Sequence, residues 1–469
     1  MYKLKRRSGI VIPREYENEY FYGAVKDDLS RTSQDYNTSE LVTSTFYNES
    51  DKSLVIPRYF PIQKFCSCEI EDYSHEGETI EWFRHTITPR NKTQEQAIEY
   101  MMNNDKGIIQ LQPGVGKTII SIYIIVKRAK KSFILVHRDS LVQQWKEKFL
   151  QFTNLKDEDV VRLSSNKFEE DLKKPIIIAT NQTFMSLLKR KPLEFLTAIN
   201  NANIGIFIGD EVHTTVGAPS FSMCSIHIPA KVTFGLSATP YRYDGNGDVI
   251  EHHLGEIFEL DDSEGTLNPR VNVLLMDFMV DTPNRYKYLR WGGRFQRSRY
   301  LNLIKNSQFF MSVIKGILNK FIKDERNFLC VCERIKLIDL LYDNIKFNSK
   351  SKFVAGIGNE ALTSKAVFTT PGKCRDGVDA AWKDTLIMTS PISNIAQMVG
   401  RIVRSYKDKG QPIIIDMIDI GCPEIRKTFH TRRTYYLKKG YDIKYIFLNE
   451  GGIKRLVEED EVMKILKGE

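Results

Sequence analysis

Ten residues, Ile109 to Thr118 (Ile-Gln-Leu-Gln-Pro-Gly-Val-Gly-Lys-Thr), constrain the fold more than any other stretch. Just before them, Gly107-Ile108-Ile109 reads as a short buried strand, and just after them Ile119 to Val126 reads as an apolar helix. A tight glycine turn between strand and helix aims several backbone N–H groups at one spot, at the positive end of the helix dipole. Gly114 and Gly116 let the backbone approach an anion, with Pro113 and Val115 completing the loop. Lys117 is placed to hold β- and γ-phosphates, and the Thr118 hydroxyl can bind Mg²⁺. One departure stands out: the full phosphate-loop pattern has glycine six residues before the lysine, where this chain has Leu111. A glycine turn that binds nothing is the alternative, and the glycine, lysine and threonine spacing fits it less well.

Around this turn the pattern is regular. From Thr88, whose Thr-Pro pair is a helix start signal leading to Met102, amphipathic helices alternate with short apolar runs. The runs are Ser132–Val136, Pro175–Ala179, Ile204–Ile208 and Val232–Leu236. A second series has runs at 271–278, 328–332, 352–355, 366–369, 385–389 and 412–417, with helices over 302–321 and 395–403 between them. Strands alternating with helices predict parallel sheets, here two α/β domains in tandem over 87–268 and 269–450. Residues 1–86 are aromatic-rich, with β-like runs at Ser53–Pro57 and Thr79–Phe83, and predict a small β-rich or α+β accessory domain. Residues 455–469 read as one amphipathic C-terminal helix, within a tail assigned to 451–469.

Charge separates the halves. Of the net +9, residues 1–86 contribute 11 Lys/Arg against 15 Asp/Glu, whereas 281–350 hold 15 against 6 and 401–440 hold 10 against 4. A basic excess confined to the second half has the form of a footprint for a polyanion, with solvated helix faces as the plain alternative. No apolar run approaches membrane-spanning length and the basic N-terminus lacks a signal peptide's apolar stretch, so a cytoplasmic chain with no membrane partner is expected. The seven cysteines are scattered in apolar contexts such as Leu329-Cys330-Val331-Cys332 and read as reduced thiols. Cys66-Ser67-Cys68 has the wrong spacing for a zinc knuckle.

Three further stretches carry chemistry. Ile206 to His213 ends an apolar strand with Asp210 and Glu211, and strand ends are where ligands sit in parallel sheets. Asp210 would hold Mg²⁺ and Glu211 would orient and deprotonate an attacking water. Gly235-Leu236-Ser237-Ala238-Thr239-Pro240 closes another strand with two hydroxyls, suited with His213 to couple that site to a neighbouring groove. Gln397, Gly400, Arg401 and Arg404 fall at helical spacing, the two arginines one turn apart and able to reach a γ-phosphate across a cleft.

The order of these pieces strongly resembles the superfamily 2 helicases, from about Gln94 to Asp416. The resemblance implies two RecA-like domains, ATP and Mg²⁺ as cofactors, and a nucleic acid track. Gln94 resembles the adenine-reading glutamine. His137-Arg138 through Gln144-Trp145 and Thr180-Asn181-Gln182 resemble the strand contacts of the first domain, although His137 replaces a usual proline. Arg334 and Thr369 resemble those of the second, and Gly377 and Asp379 its nucleotide-sensing motif. The run 235–245, with Arg242, is similar to the group of UvsW-type and T5-like phage branch-migration helicases, XPB repair helicases and the poxvirus transcript-release helicase.

Residues 285–300 lie outside those motifs and hold six basic residues, five aromatics and no acid. Arg290, Trp291 and Arg294 flank Gly292-Gly293, a turn or hairpin signal, and suit phosphate neutralisation with base stacking. The expectation is an ATP-driven motor, a monomer moving 3′ to 5′ on branched DNA such as forks and Holliday junctions. An RNA or RNA–DNA hybrid track stays open, as does a nucleotide-gated scaffold without turnover.

Overall fold

The structure, a computed structural model, describes the chain apart from residues 35–40, 112–114, 217–218, 239, 241–246, 261–265, 279–287, 376–379, 394 and 468–469. Pro113, Gly114, Thr239, Arg242, Gly377 and Asp379 therefore lie outside the described residues. The chain divides into two compact units, Met1–Glu264 and Gly265–Glu469.

Besides a two-stranded antiparallel ribbon, Ser30–Gln34 against Leu41–Thr45, the first unit contains two larger sheets. The N-terminal one is built from β1 (Tyr2–Arg6), β2 (Ile10–Pro13), β3 (Asn48–Glu49), β4 (Ser53–Ile56) and β5 (Cys68–Asp72), ordered β3-β4-β2-β1-β5. Alternating burial along β2 and β4 turns Ile10, Ile12, Leu54 and Ile56 inward, onto Phe21, Tyr22 and Val25 of helix α1 (Tyr20–Asp28). Thr79–Phe83 is not a strand. Ile80 and Phe83, three residues apart, are both buried in the core of the larger sheet, whereas a strand would send them to opposite faces.

The small sheet is fastened to the rest of its unit. The buried Arg58 guanidinium donates to the carbonyls of Arg7 and Ser8 on one side and of Ile228 and Ala230 on the other. Val249 completes the small sheet's core. Gly77 and Gly205 touch backbone to backbone: a Cβ added to Gly77 would lie 2.3 Å from the Gly205 Cα.

The larger sheet is wholly parallel, with β6 (Lys106–Gln110), β7 (Ser132–Val136), β8 (Val160–Arg162), β9 (Ile176–Thr180), β10 (Ile206–Asp210), β11 (Val232–Ser237) and β12 (Ile257–Glu259) in the order β8-β9-β7-β10-β11-β6-β12. Every residue of β7, β9, β10 and β11 is buried, which is why these strands read as continuous apolar runs. Helix α2 (Lys92–Asn103) begins four residues later than Thr88, because the Asn91 side chain caps it by accepting the Gln94 N–H.

The second unit repeats the plan. Strands β13 (Arg270–Asp277), β16 (Phe328–Val331), β17 (Lys350–Phe353), β18 (Ala366–Thr369), β19 (Thr385–Met388), β20 (Ile413–Asp419), β21 (Asp442–Asn449) and β22 (Lys454–Val457) take the order β17-β18-β16-β19-β20-β13-β21-β22. All pairs are parallel except β21–β22. A short antiparallel ribbon, β14 (Arg290–Trp291) and β15 (Arg294–Phe295), precedes the helices. The helix expected over 302–321 is two, Arg297–Asn306 and Gln308–Lys323, broken at Ser307, whose hydroxyl caps the second by accepting the Phe310 N–H. The C-terminal segment begins as edge strand β22, and its helix spans only Glu459–Lys467.

Lys383 is fully buried in this unit and donates to the carbonyls of Ser364 and Lys365. Burial pushes its ammonium down to about 7. The unfolded chain keeps that proton to about pH 10.4, so across the intervening window the unfolded state binds more protons and stability rises with pH. Replacing it by methionine should therefore give a stability difference from wild type, read from urea midpoints, that changes steadily in wild type's favour between pH 7 and 10. Buried thiols such as Cys422 act oppositely above about pH 8.5, but equally in both proteins. A difference independent of pH would exclude the buried amine as its source.

Candidate active site

The site is assembled at the carboxyl end of β10. Asp210, the last residue of this central strand, is 6% exposed, and its Oδ2 accepts the Trp145 indole N–H at 2.9 Å. Burial first, and the charge of Glu211 second, push the Asp210 carboxyl up to about 6, against the opposing pull of Lys117 and Trp145. Glu211 turns the chain into the short helix Val212–Thr215 with φ 48° and ψ 59°, a left-handed conformation uncommon outside glycine and asparagine. Its Oε1 accepts from Lys117 Nζ at 2.7 Å. Burial raises its carboxyl, but Lys117, His213 and His137 together hold it below the usual range. His213 Nδ1 lies 3.0 Å from the Ser237 Oγ and 3.6 Å from Glu211 Oε2.

Lys117 is the first residue of helix α3 (Lys117–Arg128). Gly116 caps it at φ 98°, where a side chain would be strained, and an added Cβ would lie 2.7 Å from Gln94 Nε2. Gln94 is buried and braces the loop: its Nε2 donates to the Val115 carbonyl at 2.5 Å while its Oε1 accepts the Arg90 N–H at 2.8 Å. Thr118 and Asp210 supply the oxygen donors that Mg²⁺ takes, and Lys117 supplies a cation at a helix start. The buried Glu211 Oε2 accepts no hydrogen bond in the structure. The residues present therefore fit a nucleotide with its magnesium.

Several expected strand contacts prove to be interior. Trp145 is 1% exposed and turned onto Asp210, so it braces the acidic strand end and cannot stack on a base. Asn181 is fully buried and donates to the Thr215 carbonyl. The Thr180 hydroxyl caps the helix Asn181–Arg190 by accepting the Thr183 N–H. Thr369 is fully buried with its hydroxyl on the Phe353 carbonyl. His137, half-buried at the end of β7, lies within electrostatic reach of Lys117, Glu211 and His213, and burial followed by Arg138 pushes it down to about 4. The signal for Trp145 was in the sequence: Val142, Trp145 and Phe149 share one face of the helix Asp139–Phe152 and are its buried residues.

Other expected residues remain accessible. Arg138 and Gln182 are exposed and Gln144 is half-buried. Arg334 is half-buried at the head of the helix Ile335–Asn344, beside a shallow depression of about 550 Å³ also lined by Arg297, Ser298, Thr370 and Gly372. Arg290, Trp291 and Arg294 form an exposed hairpin. Gln397 and the buried Arg401 sit on the helix Ala396–Ile402, but the helix stops there, so Arg404 does not continue its face. Arg404 instead forms a β-bridge with Thr266, next to a 2.6 Å bond from the Leu267 N–H to the Val403 carbonyl. Lys409 Nζ ties this segment down by donating to the carbonyls of Arg404 (2.9 Å) and Ala381 (2.6 Å).

Residues 86–242 match the family described as "Type III restriction enzyme, res subunit". Over 425 residues, 86% of this chain and 78% of the other, the protein is 25% identical to one from Acanthamoeba polyphaga mimivirus provisionally named ATP-dependent RNA helicase L396. Over 159 residues, 34% of this chain and 27% of the other, it is 31% identical to the DNA 3′-5′ helicase XPB of Kineococcus radiotolerans. A fragment structure of a provisionally assigned HsdR subunit of a type I restriction enzyme from Vibrio vulnificus YJ016 aligns with TM-score 0.53 and 16% identity, covering 91% of this chain and 80% of that one. The likeness is one of fold alone.

Trp145→Phe keeps most of the ring and removes the N–H. ATP turnover should fall by roughly 10- to 100-fold, as for other groups that orient a metal ligand, with oligonucleotide Kd by fluorescence anisotropy unmoved. Weakened binding with normal turnover would return Trp145 to the strand-contacting set.

Proposed function

Since the chain is an ATP-dependent helicase of superfamily 2, we propose that its track is DNA and its substrate a branch point, a replication fork or a Holliday junction. What supports this reading is Lys117 held on Glu211 at 2.7 Å in the first unit, alongside a second unit whose residues 281–350 hold 15 Lys/Arg against 6 Asp/Glu. The name of the XPB relative supports DNA and a 3′ to 5′ direction.

Lys117 moves from Glu211 to phosphate oxygen when nucleotide arrives, because both anions compete for one ammonium. Released, the Glu211 carboxylate accepts a proton from the water whose oxygen bonds to the γ-phosphorus as the bond to the ADP oxygen breaks, so that ADP and phosphate leave. Thr118 and Asp210 would hold the magnesium, which would withdraw charge from the phosphate oxygens. His213 links the Glu211 side of the site to Ser237 at the end of β11, so a change at the carboxylate is felt at that strand end. Arg401 and Arg404 are the second unit's proposed cations for phosphate charge. Arg138, Gln144, Gln182 and Arg334 grip the phosphate backbone.

A second reading, an RNA or RNA–DNA hybrid track, is favoured by the name of the mimivirus relative, which matches over most of the chain. A scaffold without turnover accounts poorly for Lys117, Asp210 and Glu211 held together by geometry that serves hydrolysis.

Strand separation should be measured on a synthetic Holliday junction, a fork, a tailed duplex and an RNA–DNA hybrid at one stated salt concentration, with Lys117→Ala as control. Junction and fork rates should exceed the tailed duplex by about tenfold, and Glu211→Gln should lower ATP turnover by roughly 100-fold or more. Preference for the hybrid would overturn the DNA assignment, and hydrolysis without separation of any substrate would overturn the unwinding role.

A further inference from the structure

The ribbon Arg290–Phe295 is rigid at its base and bare at its tip. Trp291 pairs with Arg294 and Arg290 with Phe295, across Gly292 (φ 55°) and Gly293 (φ 77°), the paired left-handed turn that matches strand twist. At the base, Leu289 is fully buried, the Gln296 N–H donates to the Leu289 carbonyl at 2.7 Å, and Phe295 packs against the core. At the tip a Cβ added to either glycine would meet nothing within 4 Å. Trp291 is 71% exposed and Tyr288 53%.

An exposed indole on an anchored ribbon forfeits burial that such a side chain ordinarily gains, which marks it as a recognition element. Its surroundings select the partner. The Arg299 guanidinium lies 5.3 Å from the Trp291 ring centroid and 5.6 Å from that of Tyr288, and its Nη1 donates to the Tyr288 carbonyl at 2.9 Å, holding both rings in place. Arg294 stands exposed beside Trp291. Arg290 and Arg297 are paired with Glu424 and Glu333, so among the described residues Arg294 and Arg299 define the charge at the tip. Directly after the ribbon come Arg297 and Ser298, which line the depression beside Arg334. A flat aromatic face, two guanidinium groups and an adjoining track for phosphates match a nucleobase on a polyanionic backbone better than an apolar protein surface.

We propose that Trp291 is a stacking pin, placed against the last base of a strand lying past Arg334, and that it holds open the end of a duplex. The inference rests on the helicase reading and deepens it. Stacking does not distinguish deoxyribose from ribose, so DNA and RNA arms are both needed.

The test places 2-aminopurine at the junction of a fork, in one DNA and one RNA version, and reads its fluorescence on adding full-length protein without ATP. Wild type should change the junction signal, Trp291→Phe should keep at least half of that change, and Trp291→Ala should lose most of it. In the same variant, base pairs separated per ATP hydrolysed should fall about tenfold. Tyr20→Ala, which removes another exposed aromatic (90%), serves as control. A junction signal unchanged in Trp291→Ala, or shifted equally by Tyr20→Ala, overturns the pin. The binding readout needs no motor, so a failure to unwind with a Trp291-dependent signal would remove the helicase assignment and leave the stacking site standing.

Discussion

Two carboxylates on adjacent residues at the end of a buried strand are the constraint around which the first unit is arranged. Asp210 and Glu211 repel each other where water screens them little, and local compensation keeps the pair in place. Lys117 neutralises Glu211, Trp145 satisfies Asp210, and His213 stands beside the free oxygen. Each compensating group arrives on a different element: a loop-led helix, the helix after β7 and the turn after β10. Removing one partner from a buried charged pair typically costs about 3–5 kcal/mol, so the site is also a structural node. The left-handed backbone at Glu211 belongs to the same arrangement, since it lets consecutive residues face different partners.

The second unit answers with a polar node of its own, used for positioning. Asp416 on β20 accepts from Arg432 Nε at 2.8 Å and from the Tyr436 hydroxyl at 3.0 Å, all three buried. Arg432 also donates to the Ile392 carbonyl at 2.8 Å, which fixes the loop leading to the helix of Gln397 and Arg401. Beyond that helix, the Leu267 N–H and Lys409 pin the segment of Arg404. The backbone that carries Arg401 and Arg404 is thus itself tied at both ends.

What the sequence disclosed, and what it hid, follows from the range of the forces. Strands buried on both faces announce themselves as apolar runs, so the order of sheets and helices was readable from periodicity, and so was the glycine hairpin. Side-chain direction was less readable. Trp145, Asn181 and Thr369 were placed by motif spacing, but whether a residue faces solvent or a neighbouring strand depends on packing from distant segments. Local capping likewise displaced element ends: Asn91 moved a helix start, and Ser307 split one helix in two. The helical placement of Arg404 was misjudged because the helix ends at Ile402, where a β-bridge to Thr266 replaces helical continuation.

The attachment of the first sheet changes what a shortened protein would be. Composition invites a cut near residue 86, yet Arg58 there satisfies the carbonyls of Ile228 and Ala230, and the small sheet covers Val249. A chain lacking that sheet would present orphaned acceptors and an apolar face on the nucleotide-binding half. The acidic segment is in this sense a wall of the engine's housing, inherited with it and not interchangeable like a tool at the end of an arm.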